Sequence, residues 1–169
     1  NLIGTDALSA INLTAPAIGL ITAVSGMLAT GGSAVVMKKL GEGREKEARQ
    51  DFTLLILANA VVGAVMMALG YAFMDRLLGA MDLSPGVFGY CHTYLSSYLS
   101  FTIPILLMYN FSLYLIAAGR ATLSLVCTVA GGVTNILLDY LLIAVADMGI
   151  RGAAIATGLG YSITAVVGL

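Results

Sequence analysis

Charged residues fall in narrow bands separated by long apolar stretches. None lies between Asp6 and Lys38, between Asp51 and Asp75, or between Asp82 and Arg120. From Ala121 to Ala146 the only charge is Asp139, and from Gly152 to Leu169 there is none. A helix that crosses a bilayer needs ~20 mostly apolar residues. Five such spans fit, at about 9–36, 52–74, 89–116, 122–145 and 152–169. The runs are apolar all round, so periodicity does not separate helix from strand. Length does, because barrel strands need only ~9–11 residues and alternate polar with apolar. The pattern predicts an all-α fold, a polytopic membrane helix bundle.

Composition agrees. Hydrophobic residues make up 59% of the 169 and charged residues 10%, against roughly 25% charged in a soluble domain. Mean hydropathy is +0.97. A chain so poor in charge cannot clothe a water-soluble surface. The net charge of −1 offers nothing to nucleic acid, which requires a basic patch. Cys91 and Cys127 sit in apolar runs without metal-site or disulfide spacing, and read as small hydrophobes. The chain begins at Asn1 and ends at Leu169 inside an apolar run. It is expected to be part of a longer protein.

Lys and Arg set the orientation. The segment 38–51 carries Lys38, Lys39, Arg44, Lys46 and Arg49, whereas the next connection, 75–88, holds only Arg76. Counting positive charge places 38–51 as a cytoplasmic loop, read as a solvated, salt-bridged loop helix, and 75–88 outside. Alternation puts the Gly119–Arg120 turn inside and Asp147–Arg151 outside, with Arg151 a mild exception. Pro16 and Pro104 lie within the first and third spans, where each tends to kink its helix.

Asp139 is the acidic residue placed well inside a span. A charge there costs at least ~2.5–3.5 kcal/mol on insertion scales. Eight residues separate it from Asp147, so ~12 Å of helix lies between it and the outer border. A short side chain does not snorkel that far. Asn135 precedes it by four residues and shares its helix face. Thr157 begins the next span at similar depth. A carboxylate, an amide and a hydroxyl together offer oxygen ligands to a hard cation such as Na+, and a desolvated carboxyl can instead hold H+. The third span has its own polar face, with Tyr90, His92, Thr93, Tyr94, Ser96, Ser97, Tyr98 and Ser100. Of these Tyr94 is expected to hydrogen-bond towards Asp139, and His92 reads as an interface histidine rather than a proton relay. Asn110, Tyr114 and Met108 are candidates to line a cavity; methionine adapts to varied apolar ligands but also fills bundles. No nucleophile–base pair is evident, which argues against an enzyme.

Four segments carry a family resemblance: IGTDALSAINLTAP, GMLATGGSAVVMKKLGEGREKEA, AAGRATLSLVCTVAGGVTNILLDYLLI and GIRGAAIATGLGYS. With Asn135 and Asp139 in place, the last two are the most specific. The chain resembles the multidrug and toxic compound extrusion (MATE) transporters along its whole length. The resemblance implies that the five spans are helices 2–6 of a twelve-helix protein, part of one six-helix N-lobe. It implies secondary active export of cationic lipophilic compounds by antiport against Na+ or H+, with no other cofactor. The setting implied is a bacterial or archaeal cytoplasmic membrane. In such proteins an Asn and an Asp four apart on the fifth helix and a Thr on the sixth hold the cation, matching Asn135, Asp139 and Thr157; a fourth-helix tyrosine matches Tyr94. The family's first-helix Asp and its C-terminal lobe are absent from this chain and would be its partners. A lipid-linked oligosaccharide flippase and a non-transporting membrane scaffold are the alternatives. No Lys or Arg lies inside a span to hold the diphosphate a flippase carries.

Overall fold

The structure, a computed structural model, describes residues 4–168. The described chain consists of α1 (Gly4–Gly41), α2 (Glu45–Gly79), α3 (Pro85–Leu99), α4 (Thr102–Ala117), α5 (Ala121–Asp139) and α6 (Gly149–Gly168). A π-helical turn, Tyr140–Val145, prolongs α5. Helices α1, α2, α5 with its π-turn, and α6 are each long and apolar enough to cross a membrane. Helices α3 and α4 make a fifth span only as a pair, bent by 54°. Leu169, the expected end of the last span, lies outside the described residues, as do residues 1–3.

The segment 38–51, read as a salt-bridged loop helix, is mostly helix. Only Glu42–Arg44 leave the helical path, at a turn where Gly43 takes φ +76°, a left-handed conformation that glycine adopts without steric cost. The rest is helix that overshoots the bilayer: α1 has 38 residues, or ~57 Å of rise against a ~30 Å hydrocarbon core. Part of the charge at this turn is paired. Lys39 Nζ lies 2.6 Å from Asp51 and 3.4 Å from Glu47, and Arg44 bonds Glu42 and Glu47.

The two prolines behave differently. Helix α1 runs through Pro16 unbroken. The third span breaks at Ser100–Phe101, one turn before Pro104. Proline has no N–H for the Ser100 carbonyl and its ring crowds that group. Side chains take up what the break releases. Thr102 Oγ1 donates to the Leu99 carbonyl at 2.7 Å, and Tyr71 of α2 donates to the Ser96 carbonyl at 2.7 Å.

Helix α3 packs on α1, α2 and α6. Its buried face, Cys91, Tyr94, Leu95 and Tyr98, packs on Ala7 and Ala10 of α1, Ile105 and Leu106 of α4, and Ile150 and Ala154 of α6. Glycines let the backbones close in, as is usual between helices in lipid. A Cβ on Gly158 would fall inside the Phe101 ring, and one on Gly152 would stand 3.0 Å from Leu142 of the π-turn. The outward faces are apolar too. Leu54, Leu57, Val61 and Val65 of α2, and Val129, Val133, Ile136 and Leu137 of α5, are exposed. In lipid such exposure costs nothing, since acyl chains are as apolar as leucine.

Candidate cation site

Helices α5 and α6 run antiparallel with their backbones in contact. A Cβ on Gly131 would lie 2.7 Å from the Gly160 carbonyl oxygen. One helical turn along α5, Asn135 reaches across: its Nδ2 donates to Thr157 Oγ1 at 3.4 Å, a long bond. Thr157 in turn donates to the Ala153 carbonyl at 2.9 Å. The threonine hydroxyl therefore spends its proton on its own helix and turns lone pairs towards α5.

One further turn along, Asp139 ends the regular part of α5. Its Oδ1 is shielded from solvent and has no hydrogen-bond partner among the described residues. Native proteins rarely leave a buried carboxylate oxygen so, because an unmet acceptor forfeits its hydration for nothing. The π-turn begins at the next residue, Tyr140. There the Ala146 amide bonds the Leu141 carbonyl, five residues back, at 2.9 Å. Single π-turns inside helices are frequent at functional sites.

A cleft of about 220 Å³ adjoins the pair, lined by Asn135 and Thr157 with Met108, Thr128, Tyr161 and Thr164. Asp139 does not line it and sits one turn beyond. Among the described residues no three His, Cys, Asp or Glu side chains gather to hold a metal. What the arrangement offers is one carboxylate with neutral oxygens, chemistry suited to H+ or an alkali cation and not to a transition metal.

The other expected site residues are scattered. Tyr94 is buried on α3, but its hydroxyl does not bond Asp139 Oδ1. Asn110 and Tyr114, the expected cavity-lining residues, pack against α2. Asn110 is fully buried against α2, donating to Asn59 Oδ1 at 2.7 Å, and Tyr114 stacks on Phe52 with ring centroids 4.3 Å apart. His92 lies at the border, 3.4 Å from Asp75. Thr128 and Thr164 were missed. A seven-residue offset was the available signal, since Thr128 precedes Asn135 and Thr164 follows Thr157 by two turns on the same face.

Residues 1–141 match the MatE family. The chain belongs to the MatE family. It is 23% identical over 156 residues to the multidrug export protein MepA of Staphylococcus haemolyticus, covering 92% of this chain and 34% of that protein. Among solved structures, an outward-facing multidrug resistance MATE transporter of the MOP superfamily superposes with TM-score 0.92 at 22% identity, over 98% of this chain and 37% of that one. A MATE structure in a bent conformation gives 0.90 at 23%, over 96% and 36%. A MOP superfamily transporter from Pyrococcus furiosus, whose binding pocket of reverse polarity suggests a different function, gives 0.92 at 22%, over 98% and 36%. The chain thus spans about a third of the length of these relatives. It is an integral membrane chain with the fold of a MATE transporter lobe.

Proposed function

We propose that this chain forms five of the six helices of the N-lobe of a secondary active multidrug exporter, which exchanges cationic lipophilic compounds for Na+ or H+ by alternating access. A first helix and a C-terminal lobe of the same protein would complete it, in the cytoplasmic membrane of a bacterial or archaeal cell. Family membership and the MepA relative support export of drugs. The observation that carries the coupling is the shielded, unpartnered Oδ1 of Asp139, one turn from the Asn135–Thr157 contact.

The mechanism follows from that carboxylate. With Oδ1 shielded and unpaired its charge is costly, so it takes up H+, or Na+ with the Asn135 amide oxygen and the Thr157 hydroxyl as further ligands. A ligand shifts a conformational equilibrium only by its differential affinity for the two states. Ion uptake from outside would favour the packing of α5 on α6 in which these oxygens converge and weaken drug binding. Drug binding from inside would reciprocally expel the ion.

The test is efflux by the full-length protein in vesicles under separately imposed Na+ and pH gradients. Asp139→Asn is expected to reduce gradient-driven export to background while the protein folds and inserts. Export at the wild-type rate by that variant would overturn the assignment.

A further inference from the structure

The polar residues of α3 divide into two sets. Tyr94 and Tyr98 turn into the core with Cys91 and Leu95. On the opposite side a stripe from His92 to the break at Ser100 joins Tyr71 of α2 and Arg151 of α6 around a groove of about 350 Å³. The proposed coupling mechanism uses none of these groups.

The depth of the groove is readable. Asp75 closes the apolar run of α2 on the outer side and lies 3.4 Å from His92. Tyr71 is one turn, ~6 Å, below it, and meets Ser96 and Ser100. Arg151 stands in the first turn of α6 at the same border. The groove therefore sits where headgroups meet acyl chains. An acyl chain gains nothing on such a hydroxyl-rich surface.

Its charges are of two signs. Arg151 has no carboxylate within ion-pairing distance among the described residues, so its guanidinium is open to an anion, for which its fork suits phosphate. Asp75 is largely exposed at the other side of the stripe. Ser96 and Ser97 donate to the Thr93 carbonyl, which leaves their oxygens as acceptors for an ammonium group.

We propose that this groove binds the headgroup of a zwitterionic aminophospholipid of the outer leaflet, with its phosphate on Arg151 and its ammonium between the hydroxyls and Asp75. An anionic glycerol headgroup would satisfy Arg151 but bring no cation to Asp75.

Native mass spectrometry of the delipidated full-length protein, exposed to equal amounts of phosphatidylethanolamine and phosphatidylglycerol, tests this. The wild type is expected to retain phosphatidylethanolamine in preference. Arg151→Gln should weaken that retention about tenfold, the value of a charge-assisted hydrogen bond, and Arg151→Lys should restore part of it. Asp75→Asn should abolish the preference between the two lipids and keep binding. Preferential retention of phosphatidylglycerol, no retained lipid, or retention indifferent to both substitutions would overturn the proposal. Asp139→Asn leaves the groove intact and should retain lipid like the wild type, so failure here is separable from failure of the coupling assignment.

Discussion

Gly131 and Gly160 hold α5 and α6 so close that a Cβ on either would stand within 3.0 Å of the other's carbonyl oxygen, at 2.7 and 2.9 Å. Neither contact atom is a flexible side chain that can swing aside. This approach brings Asn135 within reach of Thr157, because Asn135 Cβ itself would lie 3.1 Å from a Cβ on Gly160. Geometry at the candidate site is thus set by two missing side chains.

Gly131→Ala should therefore force the two backbones apart. The expected cost is about 1–3 kcal/mol, the range for overpacking a close contact, seen as a lower thermal midpoint of the purified full-length protein. Gly132→Ala has open space around its Cβ and should leave the midpoint unchanged or slightly raised. Equal loss in both variants would show that the seam is not tight.

Under the proposed assignment, Asp139, Asn135 and Thr157 would differ in what they contribute to each ion. A proton needs only the Asp139 carboxylate, whereas Na+ needs several oxygens around it. Thr157→Val and Asn135→Leu should weaken Na+-driven export about tenfold each and leave H+-driven export nearly intact. Asp139→Asn should remove both. Transport by the same set of variants under the two gradients checks this, and identical losses under both would defeat the ligand assignment of Asn135 and Thr157.

Asn59 and Asn110 form a buried amide pair between α2 and α4, with Asn110 Oδ1 unpartnered. Asn110→Leu should cost about 1–3 kcal/mol, because it strands the Asn59 side chain without its donor. Adding Asn59→Leu should cost less than the sum of the two single losses. Bonds of this kind within membranes average ~0.6 kcal/mol in double-mutant cycles, so a coupling of that order is expected from thermal unfolding of the four proteins. Strict additivity of the two single losses would mean that α2 and α4 do not depend on the pair.

At the charged turn between α1 and α2 the Asp51 hydrogen bond, with smaller help from Glu47, raises the pKa of Lys39 above its ordinary value of 10.5. A raised cation contributes stability that is complete below the unfolded pKa and is lost as pH rises through the folded one. The difference in thermal midpoint between wild type and Lys39→Met should be small and constant through neutral pH. It should shrink only in the alkaline range above 10.5, and shrink also with added salt, since the pair is exposed. A difference that grows with pH would contradict the pairing.

Much of the fold was legible because lipid enforces a crude rule. A backbone with no water to bond must form long helices, so charge-free runs of about 20 residues read directly as spans. The Asn135–Asp139 spacing was legible for a similarly simple reason, since residues four apart share a helix face. The phase of the helices was not. Spans that are apolar all round carry no amphipathic stripe to say which side faces the bundle. Asn110 and Tyr114 were accordingly placed in a cavity when they pack against Asn59 and Phe52, and the polar residues of α3 were read as one face when they form two.

By itself, then, the sequence determined where the long apolar helices lie and which carboxylate is sunk among them. These follow from solvation energies that act on each segment separately. Tertiary structure alone decided that Pro104 breaks its helix while Pro16 does not, that Gly131 meets Gly160, and that Thr157 stands opposite Asn135. Those outcomes depend on which side chains of neighbouring helices, such as Tyr71 and Thr102, are at hand to take up the freed backbone groups. They depend also on where two helices can touch, which no single segment encodes.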